Sequence, residues 1–216
     1  MKRIITISRE FGCGGRVIGQ AVAKELGYDF YDKEIIDLSA KESGLSADFI
    51  AKNEQSISSG WLYNLLLGSS YADAHMGSHT HAHSAQPAVL PLADQVFNAQ
   101  RRTILSLAKK GPCVIVGRCA DYILSTSNEI DQSELLDVFI YADMDDKIQR
   151  AVACYDIPEK DAKKVIQQRN KRRANHYNMF TEHVWGERTN YDLLVNSSVL
   201  GLDGTAQFIA QFARQA

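Results

Sequence analysis

Three clusters in this chain carry residue types at spacings suited to phosphate chemistry. The first is REFGCGGR, Arg9–Arg16, which stands between a β-branched run (Ile4–Ser8) and an amphipathic stretch ending at a glycine (Val17–Gly27). Glycines at a strand-to-helix junction let peptide N–H groups approach an anion at the positive end of a helix. The regular phosphate-loop pattern is Gly, four residues, then Gly-Lys-Ser/Thr. Aligned on Gly14, its first glycine falls on Arg9, and Gly15 sits where the lysine belongs; aligned from Gly14 forward, Gly19 is followed by Gln20. The dinucleotide fingerprint also breaks, because its third glycine falls on Val17. Arg16 is the cation placed to substitute for the missing lysine. The competing reading is a tight turn that packs strand on helix and binds nothing.

The second cluster is GRCAD, Gly117–Asp121, after the apolar run CVIVG. A glycine there permits a sharp turn, and the arginine after it can fork onto a phosphate, with Asp121 orienting it or meeting a base or sugar. A surface Arg–Asp pair is the plainer alternative. The third cluster is QQRNKRRANHYNMF, Gln167–Phe180, in which Arg169 and Arg173 are i,i+4 helical neighbours and Arg172 is offset. Few acids neutralise this run. It reads either as a solvated face or as a helix that closes over a nucleotide and presents arginine to a transferring phosphoryl group.

These clusters need a frame. The runs Ile4–Ser8, Asp29–Tyr31, Cys113–Gly117, Val138–Ala142 and Asp192–Asn196 are expected to form one parallel sheet. Helical stretches at Val96–Lys110, Asp143–Tyr155, Glu159–Tyr177 and Asp203–Gln215 alternate with them, which implies helices on both faces. Ligands of such sheets gather at the C-terminal strand ends. That rim would hold Ser8–Arg16, Asp32–Glu34, Gly117–Asp121, Ala142–Asp145 and Asn196–Ser198. Residues from about 44 to 92 differ in character and read as an inserted lobe with a mobile tip. That segment contains His75, His79, His81 and His83, which lack a completing carboxylate or cysteine and read as a solvated loop.

With 216 residues, the chain fits a single domain, and 45% hydrophobic content supports a sizeable core. A net charge of −2 argues against nucleic acid or anionic membrane as partners. Cys13, Cys113, Cys119 and Cys154 form no CxxC pair, and no signal peptide or long apolar span is visible, so reduced thiols in a cytoplasm are expected. Cys13 reads as a small loop residue, with the nearby helix start as the one feature that could lower its pKa.

On ITISREFGCGGRVIG, FYDKEII, CVIVGRCADYIL, VFIYA, the Arg169–Tyr177 run and NYDLLVNSSVLGLDG, the chain resembles the cytidylate kinase-like family over nearly its whole length. The resemblance implies an α/β P-loop kinase-like three-layer sandwich. Its five-stranded parallel sheet would carry an inserted acceptor lobe (about 44–92) and a helical lid (about 158–188). It implies phosphoryl transfer from ATP with Mg²⁺ to CMP or dCMP. Gly12, Cys13, Gly14, Gly15, Arg16 and Val17 would hold the donor. Asp32, Lys33, Arg118 and Asp121 would hold the acceptor, with Asp192 and Asn196 near the donor side. Arg16, Arg118, Arg169 and Arg173 would supply the charge for transfer. Asp32 is the candidate for reaching Mg²⁺ through water, and the metal ligands are otherwise unassigned. A homodimer is left open. So are a different small phosphorylated acceptor, a nucleotide-binding protein without catalysis and, more distantly, a metal-handling role for the histidine loop.

Overall fold

The computed structural model describes residues 1–44, 46–48, 50–51 and 92–216. Most of the expected inserted lobe, with all four of its histidines, lies outside the described residues. The order of elements is β1 (Ile4–Arg9), α1 (Gly15–Leu26), β2 (Asp29–Tyr31), α2 (Glu34–Ser43), α3 (Leu92–Lys110), β3 (Cys113–Val116), α4 (Ala120–Ser125), β4 (Leu135–Tyr141), α5 (Met144–Tyr155), α6 (Glu159–Phe180), β5 (Leu193–Asn196) and α7 (Ser197–Gln215). All strand pairs are parallel, in the order β2-β3-β1-β4-β5. The five expected strands are all present, within a residue or a few of their expected ends.

The sheet is covered on both faces, which explains why its strands read as near-continuous apolar runs. Alternate residues Ile5, Ile7, Leu136, Val138 and Ile140 pack with Ile18 and Val22 of α1 and Ile209 and Ala213 of α7. The opposite alternation, Ile4, Cys113, Ile115 and Leu135, packs with Ile104 and Leu107 of α3 and Ile123 and Leu124 of α4. On this second face β1 also places Thr6 and Ser8, both buried. They meet acids: Thr6 Oγ1 donates to Asp137 Oδ1, and Ser8 Oγ lies 3.4 Å from Asp121 Oδ1.

Helix ends follow their local chemistry. α1 starts after Gly14 and stops at Gly27, both in the left-handed region that glycine enters without a Cβ penalty. α7 begins earlier than the expected Asp203. Its first turn is capped by Asn196 Oδ1 accepting from the Ser198 N–H, and a non-helical Gly201 kinks it before the long apolar face resumes. α2 was not anticipated as a separate helix, because Glu34–Ser43 is short and its apolar face is narrow.

Candidate phosphate-binding site

At the C-terminal rim the sheet brings together what the sequence keeps far apart. Asp32, just past β2, is buried at 6% exposure. Arg16 Nε lies 3.1 Å from its Oδ2, Arg118 Nη1 3.7 Å from its Oδ1, and Arg9 Nη2 3.9 Å from its Oδ1. Arg118 Nη1 also donates to the Asp32 carbonyl at 2.6 Å. The Asp32 N–H donates to Glu34 Oε2 at 3.0 Å. The Glu34 carboxyl is held below its usual range first by peptide N–H groups, its own and that of Asp32, and then by the charges of Arg16 and Arg118. Lys33, the residue between, is exposed.

The turn that delivers Arg118 is strained. Gly117, Arg118 and Cys119 all have positive φ (78°, 55° and 55°), and two of them are not glycine. Left-handed backbone at such residues costs about 1–3 kcal/mol each and persists where the surroundings over-determine it. Here it aims one guanidinium at Asp32. Asp121, expected beside Arg118 on the acceptor side, lies in the floor of the site at 2% exposure. It accepts from Tyr177 Oη at 2.7 Å. Burial pushes its carboxyl above the usual range in spite of the hydrogen bonds from Tyr177 and Ser8.

The glycine turn lies next to this cluster. Gly12 and Gly14 have φ of 85° and 82°. No hydrogen bond among the described residues uses the peptide N–H of Gly12, Cys13, Gly14 or Arg16 as a donor to backbone oxygen. The other edges of the turn are fastened. Ser197 Oγ donates to the Cys13 carbonyl at 2.8 Å, and Arg150 Nη1 to the Gly12 carbonyl at 3.2 Å. Cys13 is fully buried, and burial raises its thiol pKa, so the helix start does not activate it. Val17 is 53% exposed on the first turn of α1.

Helix α6 crosses above the turn. Asn170 Oδ1 accepts the Phe11 N–H at 2.6 Å, and Arg173 Nη1 donates to the Arg9 carbonyl at 2.8 Å. The guanidinium of Arg169 lies 4.3 Å from the Phe11 ring centroid and that of Arg173 at 5.8 Å, so the expected i,i+4 pair does face one target. Burial, then the nearby charge of Arg9, lowers the Arg173 pKa to about 9. It remains a cation at neutral pH.

Three contributors escaped the sequence reading. Arg9 opens the glycine cluster and reads there only as the residue at the place of the absent first glycine. Asn170 reads as one polar residue in a charged run. Lys147 lies one turn into α5, and its Nζ is 2.6 Å from Glu10 Oε2. A buried lysine is almost always paired, but nothing in the local sequence points 137 residues back to Glu10.

No group of three or more His, Cys, Asp or Glu side chains among the described residues could hold a metal ion. Asp32, the candidate for Mg²⁺, has three guanidiniums within 3.9 Å, an electrostatic setting unfavourable to a divalent cation. The described residues therefore do not fit a Mg²⁺ site built on protein carboxylates. Among the described residues no helix is long and apolar enough to cross a membrane.

The parallel order, the glycine turn after β1 and the arginines at the rim define a P-loop kinase fold. Solved structures share it. An uncharacterized protein from Eubacterium ventriosum superposes with a TM-score of 0.69 at 22% identity, covering 100% of both chains. Shikimate kinase from Bacteroides thetaiotaomicron gives 0.51 at 13% identity over 98% of each chain. Shikimate kinase from Acinetobacter baumannii, in complex with shikimate, gives 0.50 at 12% identity over 100% of this chain and 94% of that one. No curated protein matches the chain. The sequence profile of the cytidylate kinase-like family matches residues 4–199, and the chain belongs to that family. Family and fold together support a nucleotide-dependent kinase.

Proposed function

We propose that the protein transfers a phosphoryl group from ATP to a nucleoside monophosphate, CMP or dCMP. The observation that carries this reading is the convergence of Arg9, Arg16 and Arg118 on the carboxylate of Asp32, beside a glycine turn in which the N–H groups of Gly12, Cys13, Gly14 and Arg16 bond no backbone oxygen among the described residues. Guanidiniums gathered at one rim present the forked donors that phosphate oxygens accept from.

In this reading Gly12, Cys13, Gly14, Gly15, Arg16 and Val17 border the donor phosphates. Asp32, Lys33 and Arg118 border the acceptor, with Asp121 beneath them. Transfer between two bound phosphates requires little covalent chemistry from the protein. Positioning and charge compensation do most of the work. Arg169 and Arg173 on α6 bring further charge over the turn, and closure of the segment at about 158–188 would keep water from the transferring group. Mg²⁺ would arrive on the nucleotide's own phosphates, the usual way this ion is bound in kinase sites. The free cysteines, three of them buried, suit a reducing cytoplasm.

Because the arginine cluster recognises phosphate and not a base, the same geometry also supports another small phosphorylated acceptor. A coupled assay of ADP release separates these readings, with ATP–Mg²⁺ against every nucleoside monophosphate and a panel of sugar phosphates. CMP and dCMP are expected to give the highest kcat/KM. A preference for a sugar phosphate would move the acceptor class. Tight ATP binding with no turnover on any acceptor would make the protein a nucleotide-binding protein without catalysis.

A further inference from the structure

The lysine missing from the glycine turn has a counterpart elsewhere in the same turn. In the register set by Gly14, a regular phosphate loop has glycine at position 9 and lysine at position 15. This chain has Arg9 and Gly15, so the small residue and the cation have exchanged places. The structure shows why one change requires the other. A Cβ added at Gly15 would lie 2.8 Å from Arg9 Cβ and 2.9 Å from Arg9 Cγ. The Arg9 Cβ is fixed to the strand backbone and cannot swing away. A lysine at 15 and an arginine at 9 therefore exclude each other.

Beyond Gly15 the arginine runs over a second glycine. A Cβ added at Gly117 would lie 2.0 Å from Arg9 Nη1 and 2.8 Å from its Cζ. The stem thus lies between the first residue of α1 and the turn after β3. Its carbonyl is held by Arg173 Nη1 at 2.8 Å, and its tip reaches within 3.9 Å of Asp32. The Arg9 side chain is about one-fifth exposed at the rim.

We propose that Arg9 is the cation that faces the β- and γ-phosphates of the nucleotide, in place of the lysine that a phosphate loop carries on its helix. The charge comes from the end of the strand instead of the start of the helix, and glycine at 15 is the space it requires. This inference rests on the nucleotide-binding reading above and assigns a residue within it.

The test uses the full-length protein and calorimetric binding of ATP and of adenosine, with thermal unfolding as the control for folding. Arg9→Gln keeps the stem over Gly15 and removes the charge. It is expected to weaken ATP at least about tenfold, the scale of one charge-assisted contact, and to leave adenosine within about twofold. Gly15→Lys alone should lose ATP at least as strongly, because the new side chain meets Arg9. The double change Arg9→Gly with Gly15→Lys, which restores the regular pattern, should recover ATP affinity at least about tenfold over Gly15→Lys. If Arg9→Gln leaves ATP affinity unchanged, or weakens adenosine equally, the proposal is overturned. It is also overturned if the double variant folds and binds ATP no better than Gly15→Lys. Should wild-type protein bind no ATP, the function proposed above fails, whatever Arg9 does. If Arg16→Ala alone reproduces the loss of ATP while Arg9→Gln does not, the cation belongs to the helix after all.

Discussion

Asp32 sets the chemistry at the scale of single residues. Its carboxylate meets Arg9, Arg16 and Arg118, with Glu34 close enough to feel the charges of Arg16 and Arg118. In the proposed function, a phosphate would take over hydrogen bonds that are already aimed. Arg118 is the most firmly held, with a hydrogen bond to the Asp32 carbonyl at 2.6 Å and a strained backbone behind it. Removing it should cost acceptor binding on the scale of a charged hydrogen bond. Arg118→Ala is expected to weaken CMP by roughly 1.5–3 kcal/mol, with a much smaller effect on ATP. Titration of each ligand into the folded variant checks this. Equal losses for both would mean that Arg118 only supports the turn. Position 118 was legible in the sequence because an arginine after a strand-ending glycine is a local pattern. Arg9 was not, because its role depends on Gly15 and on Gly117, more than a hundred residues away.

Among the elements, α6 couples the glycine turn to the floor of the site. Its Asn170 and Arg173 hold the main chain at Phe11 and Arg9, and its Tyr177 donates to Asp121. Movement of the helix would therefore release the turn as well as uncover it. Asn170→Ala leaves the Phe11 N–H without its acceptor. That is expected to destabilise the protein by about 1–3 kcal/mol and to raise KM for ATP more than KM for the acceptor. Denaturant unfolding and steady-state kinetics on the same variant check both parts. An unchanged KM for ATP would separate the helix from donor binding. The charged run of α6 was plain in the sequence, and so was its i,i+4 pair. Which side of the run faces inward was not, because Ala162, Ile166 and Tyr177 are too sparse to mark a strong apolar face.

For the whole molecule, the buried acids on one face of the sheet make stability depend on pH. Burial pushes Asp137 up to about 8, against a hydrogen bond from Thr6, and the charges of Asp121 and Asp192 add to the rise. Asp121 shifts in the same direction. Between the ordinary carboxylate value of 3.8 and about 8, the folded chain keeps a proton on Asp137 that the unfolded chain releases. Stability from this group is therefore complete below that window. It falls as pH rises through the window, by up to about 1.4 kcal/mol per pH unit. Asp137→Asn should flatten its share of the decline in urea unfolding measured across the window. An unaltered slope in the variant would mean that Asp137 is ionised in the folded protein.

The sequence alone determined the layers. Apolar runs of strand length alternating with amphipathic stretches can bury both faces of a sheet in few ways, and the glycine density at Gly12–Gly15 marks a tight strand-to-helix turn. These are local properties, set by side-chain period and by the backbone freedom of glycine. Only the tertiary structure decided which charges meet. Arg9, Asp32 and Arg118 converge because β1, β2 and β3 lie side by side and end on one rim. Lys147 and Asn170 join the turn because α5 and α6 pack over it. Ion pairs of this kind join residues of different elements, some as far apart as Glu10 and Lys147. Their partners are chosen by strand order and helix packing, which no window of sequence contains.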